Sequence, residues 1–142
     1  MLSSIFGKLY YDLTLHELKM MNSIDLYPNL TYNSLLYLDL IACNPNCTVS
    51  SLAELLHVSK SAVTIKVSEL IKQGFVEKNQ SELDKRVYYL SVKPEIQGHY
   101  EIYNQIIKQA GEKMKDTYTT EEISLFCNML SSFNKFCFPE KS

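Results

Sequence analysis

Arg86 is the single arginine among 142 residues, the other thirteen basic side chains of the Lys and Arg set all being lysine. It sits in "SELDKRVYY", two residues after Asp84. Two positions apart in a segment entering a strand, the two side chains project from the same face, so the carboxylate can hold the guanidinium in one orientation. A planar cation aimed in advance suits a narrow, A·T-rich minor groove, where the negative potential is enhanced, better than a strongly hydrated lysine does. Lys85 stands between them as a further cation. Without a nucleic-acid context the same pair would be an ordinary surface ion pair.

A second group lies just upstream, in "KSAVTIKVSELIKQ". If Val63, Val67 and Leu70 form the buried stripe of a helix, then at 100° per residue Ser61, Ile65, Ser68 and Lys72 point outward. Thr64 lies on one flank, with Lys66 nearer the other edge. Small polar groups bordered by lysines suit the major groove: Ser61 and Thr64 can hydrogen-bond base edges, while Lys60 and Lys66 reach phosphates. The free N–H groups at the Ser59 end add a phosphate site. Ile65 is the odd member, an apolar side chain on a face that should be wet. It either packs on a thymine methyl or is one exposed isoleucine of the common kind.

These residues need elements to hold them. Ser59 is placed to cap their helix, and Gly74 to end it at the C′ position. Upstream, "TVS" reads as a short extended piece, with Ser50 capping "SLAELLH". Two helices separated by His57, Val58 and Ser59 make a helix-turn-helix. The period then changes to two: "FVEKNQ" and "RVYYLSV" read as strands, and "SELDK" as a hairpin tip. A helix-turn-helix followed by a hairpin is a winged helix.

The flanks read as helix. Leu2, Phe6, Leu9, Leu13, His16 and Met20 form one apolar stripe, and Pro28 in "LYPNLT" breaks it before Thr31 caps "YNSLLYLDLIA". Pro94 suits the first turn of another helix, whose stripe is Ile96, Tyr100, Tyr103, Ile107, Ala110 and Met114. Thr119 or Thr120 opens a last one, with Ile123, Phe126, Leu130, Phe133 and Phe136. These helices carry more apolar surface than a small winged helix can cover, so residues 1–30 and 94–142 are expected to pair two chains about a two-fold axis, around a winged helix at 31–93. The predicted fold class is mainly α, one structural domain overall.

The net charge of −2 is unevenly spread. From His57 to Lys93 seven basic residues face four acidic ones, three charges above neutrality, which leaves the remainder at −5. A basic segment on an acidic body points to an anionic partner for that segment. No apolar run is long enough to span a membrane, and Asp12 and Glu17 interrupt what would otherwise be a leader, so a cytoplasmic location is expected. There, Cys43, Cys47, Cys127 and Cys137 read as free thiols. "CNPNC" has a loose zinc spacing but no second pair or nearby His, so no metal and no cofactor is expected. Cys43 and Cys47 would be the reactive pair if one exists, whereas Cys127 and Cys137 read as core or dimer packing. A phosphate-cradling glycine loop, a metal motif and a nucleophile set are all missing, which argues against an enzyme.

The segment "VSSLAELLHVSKSAVTIKVSELIKQGFVEKNQSELDKRVYYLSV" resembles the winged-helix core of the MarR (multiple antibiotic resistance regulator) family, through Leu52, Ala53, Leu56, Ser59, Val63, Val67, Leu70, Gly74, Val76, Asp84, Arg86 and Leu90. The resemblance implies a homodimer on a pseudo-palindromic operator in double-stranded DNA, most often a repressor, with recognition helices roughly one helical turn apart. It implies that Arg86 enters the minor groove, that Asp84 orients it, and that Ser61, Thr64 and Ile65 fall where members contact bases. It also implies a small-molecule effector pocket, bordered by the helices that carry His16, Met20, Met21 and Tyr37. Two departures stand out: Ile65 replaces an arginine common in the family, and "KPEI" replaces the customary Thr-x-x-Gly after the wing. The peroxide-sensing members keep a cysteine in the first helix, and this chain has none there. The alternatives are a winged helix that binds protein rather than DNA, or a redox- or metal-sensing regulator.

Overall fold

The computed structural model describes residues 1–23 and 30–139. The side chains of residues 23, 95, 97 and 99–103, and all of residues 24–29, lie outside the described residues. Pro28, Tyr100 and Tyr103, each used in the sequence reading, are among them. The chain divides into two compact units, Met1–Pro94 and Glu95–Ser142.

The first unit opens with α1 (Leu2–Ser23) and α2 (Tyr32–Cys43). Thr31 caps α2 as expected, its hydroxyl accepting the Ser34 N–H at 3.1 Å. The two helices meet through Tyr32, whose hydroxyl hydrogen-bonds Glu17; partial burial, and then the Glu17 charge, raise the phenol's pKa. The expected stripe of α1 is only partly covered within the chain. Phe6 and Met20 are half-buried, but Leu2, Leu9, Leu13 and His16 are exposed.

Helices α3 (Val49–Leu56) and α4 (Lys60–Lys72) form the helix-turn-helix. The cap of α3 is Thr48 rather than the expected Ser50. Thr48 is extended at φ −122°, its hydroxyl accepts the Ser51 N–H at 3.1 Å, and the Ser51 hydroxyl in turn accepts the Thr48 N–H at 2.8 Å. This reciprocal box satisfies two donors where a cap at Ser50 would satisfy one, and it draws Val49 and Ser50 into the helix. Both helices end alike. After α3 the Val58 N–H reaches the Ala53 carbonyl at 3.1 Å with His57 left-handed at φ 53°; after α4 the Phe75 N–H reaches Leu70 at 2.9 Å with Gly74 at φ 82°. Gly74 was placed correctly from sequence, whereas His57 does a glycine's work with a Cβ in the way.

Strands β1 (Val76–Gln80) and β2 (Tyr88–Val92) pair antiparallel from Val76 with Val92 to Gln80 with Tyr88. The Leu90 N–H donates to the Cys47 carbonyl at 2.7 Å, tying the lead-in of α3 to the free edge of β2. The core of this unit is Leu35, Leu38 and Ile41 from α2, Leu52 from α3, Val63, Val67 and Leu70 from α4, and Val76, Leu90 and Val92 from the hairpin. All three expected stripe residues of α4 have no exposed surface at all. The outward-facing residues of α4 are therefore fixed by burial of the opposite face.

In the second unit, α5 (Pro94–Thr117) begins on its proline, and α6 (Thr120–Cys137) is capped by Thr119, which exchanges hydrogen bonds with Glu122 at 2.9 and 3.2 Å. No residue of α6 is buried: Ile123 and Phe133 are half-covered, while Phe126, Leu130 and Phe136 are exposed. Cys127 and Cys137 are exposed too, so packing in the chain's own core does not account for them. Among the described residues no helix is long and apolar enough to cross a membrane.

Candidate nucleic-acid interface

Helix α4 starts where Ser59 accepts the Ala62 N–H at 3.2 Å, which places Lys60 and Ser61 in its first turn, both exposed. Ile65, 71% exposed, is central on the outward face, with Ser61 one turn before it and Ser68 and Lys72 toward the far end. The Thr64 hydroxyl donates back to the Lys60 carbonyl at 2.8 Å. Its hydrogen is thus committed within the helix, leaving its lone pairs and methyl for a ligand. Lys66 is not presented with the others: it pairs with Glu69 at 3.2 Å and only 15% of its side chain is exposed. One turn ahead on the same helix, Glu69 holds the ammonium against the helix surface and away from the outward face.

The wing tip turns between Gln80 and Tyr88. The Ser81 N–H donates to Val87 at 2.9 Å, the Val87 N–H donates to the Asp84 carbonyl at 2.9 Å, and the Ser81 hydroxyl, itself buried, accepts the N–H groups of Leu83 and Asp84. Asp84 therefore lies in the hairpin tip as expected, whereas Arg86 lies in the turn rather than at the start of the strand, and the turn brings the two together. Arg86 Nε donates to Asp84 Oδ1 at 3.1 Å, Nη2 donates to Oδ2 at 3.1 Å, and the Arg86 backbone N–H also reaches Oδ1 at 3.0 Å. The fork, helped by that backbone donor, lowers the pKa of Asp84 below the usual carboxylate range. Arg86 stays 91% exposed while being held by both oxygens. The guanidinium is oriented but not consumed.

Between the wing and the helix pair runs an open cleft of about 480 Å³, lined by Thr48, Val49 and Ser50 at the start of α3, Lys60 and Thr64 of α4, Lys78 of β1, and Arg86, Val87 and Tyr88 of the wing. Three cations line it and no acidic side chain does. The start of α3 lines it as well, through Thr48, Val49 and Ser50, and the dipole at a helix start favours an anion. A polyanion could lie along this cleft with Ser61, Ile65 and Arg86 meeting its grooves on either side. Sequence reading placed Ser59, Lys60, Ser61, Thr64, Ile65, Lys85 and Arg86 on this exposed surface. It missed Thr48 and Ser50 at the start of α3, and Lys78 of β1, whose only sequence signal was its place among the seven basic residues from His57 to Lys93.

The expected effector residues are less convergent: His16 is exposed on α1, and Met20 and Tyr37 are half-buried on α1 and α2. Of the two loop cysteines, Cys43 is exposed, while burial pushes the Cys47 thiol up, away from a reactive thiolate. Among the described residues no three His, Cys, Asp or Glu side chains are grouped to hold a metal ion.

Residues 30–88 match the model of the MarR family. The fold is similar to that of Streptococcus pneumoniae FabT in complex with DNA, at 21% identity over 99% of this chain and 97% of that one, with a TM-score of 0.73. It is also similar to the adhesin competence repressor AdcR of Streptococcus pyogenes, at 21% identity over 92% of this chain and 96% of that one, TM-score 0.56. Staphylococcus aureus MarR in complex with salicylate and kanamycin is similar too, at 20% identity over 99% of this chain and 95% of that one, TM-score 0.57. At these identities the likeness is one of fold. No curated protein is similar enough in sequence to match.

Proposed function

Residues 30–88 form a MarR-family winged helix, and from this premise we propose that the chain is a sequence-specific, double-stranded DNA-binding transcriptional regulator, acting in the cytoplasm as a homodimer on a pseudo-palindromic operator. The observation that carries the reading is the Arg86 fork: a cation held by two carboxylate oxygens yet 91% exposed, at the end of a cleft lined by Lys60 and Lys78. Such an arrangement contributes little to folding and much to meeting an anion. Helix α4 supplies base contacts through Ser61, Thr64 and Ile65 in the major groove; Lys60, Lys78 and the start of α3 hold phosphates; Lys85 and Arg86 reach the adjacent minor groove.

The homodimer is supported by what the single chain leaves uncovered. Leu2, Leu9 and Leu13 of α1, Ile107 of α5, and Phe126, Leu130 and Phe136 of α6 are all exposed large apolar side chains. Residues 1–30 and 94–142 would bury them between two copies. Repression fits AdcR, named as a repressor, and release by a small molecule fits the salicylate complex of the staphylococcal protein, with His16, Met20 and Tyr37 as the residues of this chain to test.

The test is selection of bound fragments from the source genome by the purified chain, with its mass measured in solution. The expected result is a dimer that enriches sites with two half-sites about one helical turn apart. A monomer, or a chain that enriches no fragment at low ionic strength, refutes the proposal. Salt separates DNA from protein as the partner: contacts to phosphates weaken steeply as salt rises, whereas an apolar protein contact barely responds.

A further inference from the structure

The wing tip carries a second group beside Arg86. Leu83 is 99% exposed, so it makes almost no contact with its own chain. Its neighbours are Glu82, Asp84 and Lys85, so it does not belong to an apolar patch that another part of the molecule could cover. Yet its position is built. Its backbone N–H is held by the Ser81 hydroxyl at 3.3 Å, the Asp84 N–H by the same hydroxyl at 3.2 Å, and Ser81 is itself buried. From the other side Gln80 Nε2 donates to the Lys85 carbonyl at 2.7 Å, closing the tip. A leucine is thus displayed on a turn of fixed geometry, next in sequence to the carboxylate that aims Arg86.

We infer that Leu83 is an apolar wedge that enters the minor groove with Arg86 and packs against the deoxyribose walls. The inference rests on the DNA-binding reading above. Two observations favour DNA over a protein partner. The cation beside Leu83 is oriented by a fork that leaves it open to solvent, which matches the negative floor of a narrow groove. The apolar element is one side chain on a thin hairpin end rather than a face. That shape fits a slot about 6 Å wide, and single leucines serve as minor-groove wedges in other folds. Leu83 would add affinity by covering apolar sugar surface, and it would limit how far Arg86 can slide along the groove.

The experiment uses the full chain, and as probe the tightest duplex that the wild-type protein recovers from a random-sequence library. Binding of wild type, Leu83→Ser and Leu83→Met is followed by fluorescence anisotropy across a salt series, with thermal midpoints in parallel. Because Leu83 touches nothing in the free chain, neither variant should move the midpoint. Leu83→Ser should weaken binding about tenfold at every salt concentration, as expected for partial burial of one leucine. Its slope against salt should equal that of wild type, since an apolar contact releases no counterions. Leu83→Met, which keeps the apolar surface, should stay close to wild type. Equal affinities of wild type and Leu83→Ser would overturn the wedge while leaving the DNA-binding reading intact. A shallower slope for Leu83→Ser would also overturn it, by showing that the residue acts only through Arg86. A wild-type protein that recovers no duplex overturns both.

Discussion

Replacing Arg86 is the perturbation whose size can be worked most directly from the interface. Along the cleft and the wing tip each chain exposes four cations, Lys60, Lys78, Lys85 and Arg86, with Lys72 at the far end of α4 left out of the count. Lys66 is left out because Glu69 holds it. In the proposed dimer that makes eight, and at about 0.9 logarithmic units per neutralised phosphate the affinity should fall with salt at a slope of about −7. Between about 50 and 200 mM salt, the loss is then on the order of ten-thousandfold. Arg86→Ala removes one cation from each copy and should bring the slope to about −5. Arg86→Lys keeps the charge and so the slope, but an ammonium cannot make two parallel bonds to Asp84, and preference for A·T pairs under the wing should weaken. The assay is fluorescence anisotropy across a salt series, with one selected duplex and its A·T to G·C variants at the wing position. If Arg86→Ala binds with the wild-type slope, the wing does not reach the duplex. A wild-type slope shallower than about −2 would sink the cleft as a phosphate track.

Other expected outcomes concern the scaffold. Gly74→Ala should cost about 1 kcal/mol, measured by urea denaturation, all of it from the backbone, since φ is +82° and nothing lies within 4 Å of the added carbon. Thr48→Ala should cost about 1–2 kcal/mol by the same assay, because it leaves the Ser51 N–H uncapped, whereas Ser50→Ala should have almost no effect. Asp84 has a depressed pKa, so its hold on Arg86 is present above the ordinary carboxylate value and is lost only as pH falls through the lowered one. A carboxyl NMR titration should therefore place its midpoint below about 3.9 in wild type and return it toward that value in Arg86→Ala; a wild-type midpoint at or above it would contradict the fork.

Most of the winged helix could be read residue by residue because its signals are local. Thr31 and Ser59 announce helix starts, Gly74 a left-handed exit, and Val63, Val67 and Leu70 a buried face, each through chemistry confined to a few neighbouring positions. The misreading at α3 came from three hydroxyls, at positions 48, 50 and 51, of which any could cap a helix. Only the reciprocal bonds of Thr48 and Ser51 decide between them. Periodicity likewise identified apolar stripes on α1 and α6 without saying what covers them, because spacing records that a face is apolar and not whether its own chain reaches it.

Sequence by itself determined where α2 and α4 start, where α4 stops, which face of α4 turns inward, and that one arginine stands beside one aspartate. Tertiary structure decided the rest: that Lys66 is spent on Glu69, that Lys78 from a strand joins Lys60 from a helix around one cleft, and that Leu83 stands clear of everything. The reason is range. Caps and burial patterns act over a few residues along the chain, whereas a binding surface is assembled across elements whose approach depends on how the core packs.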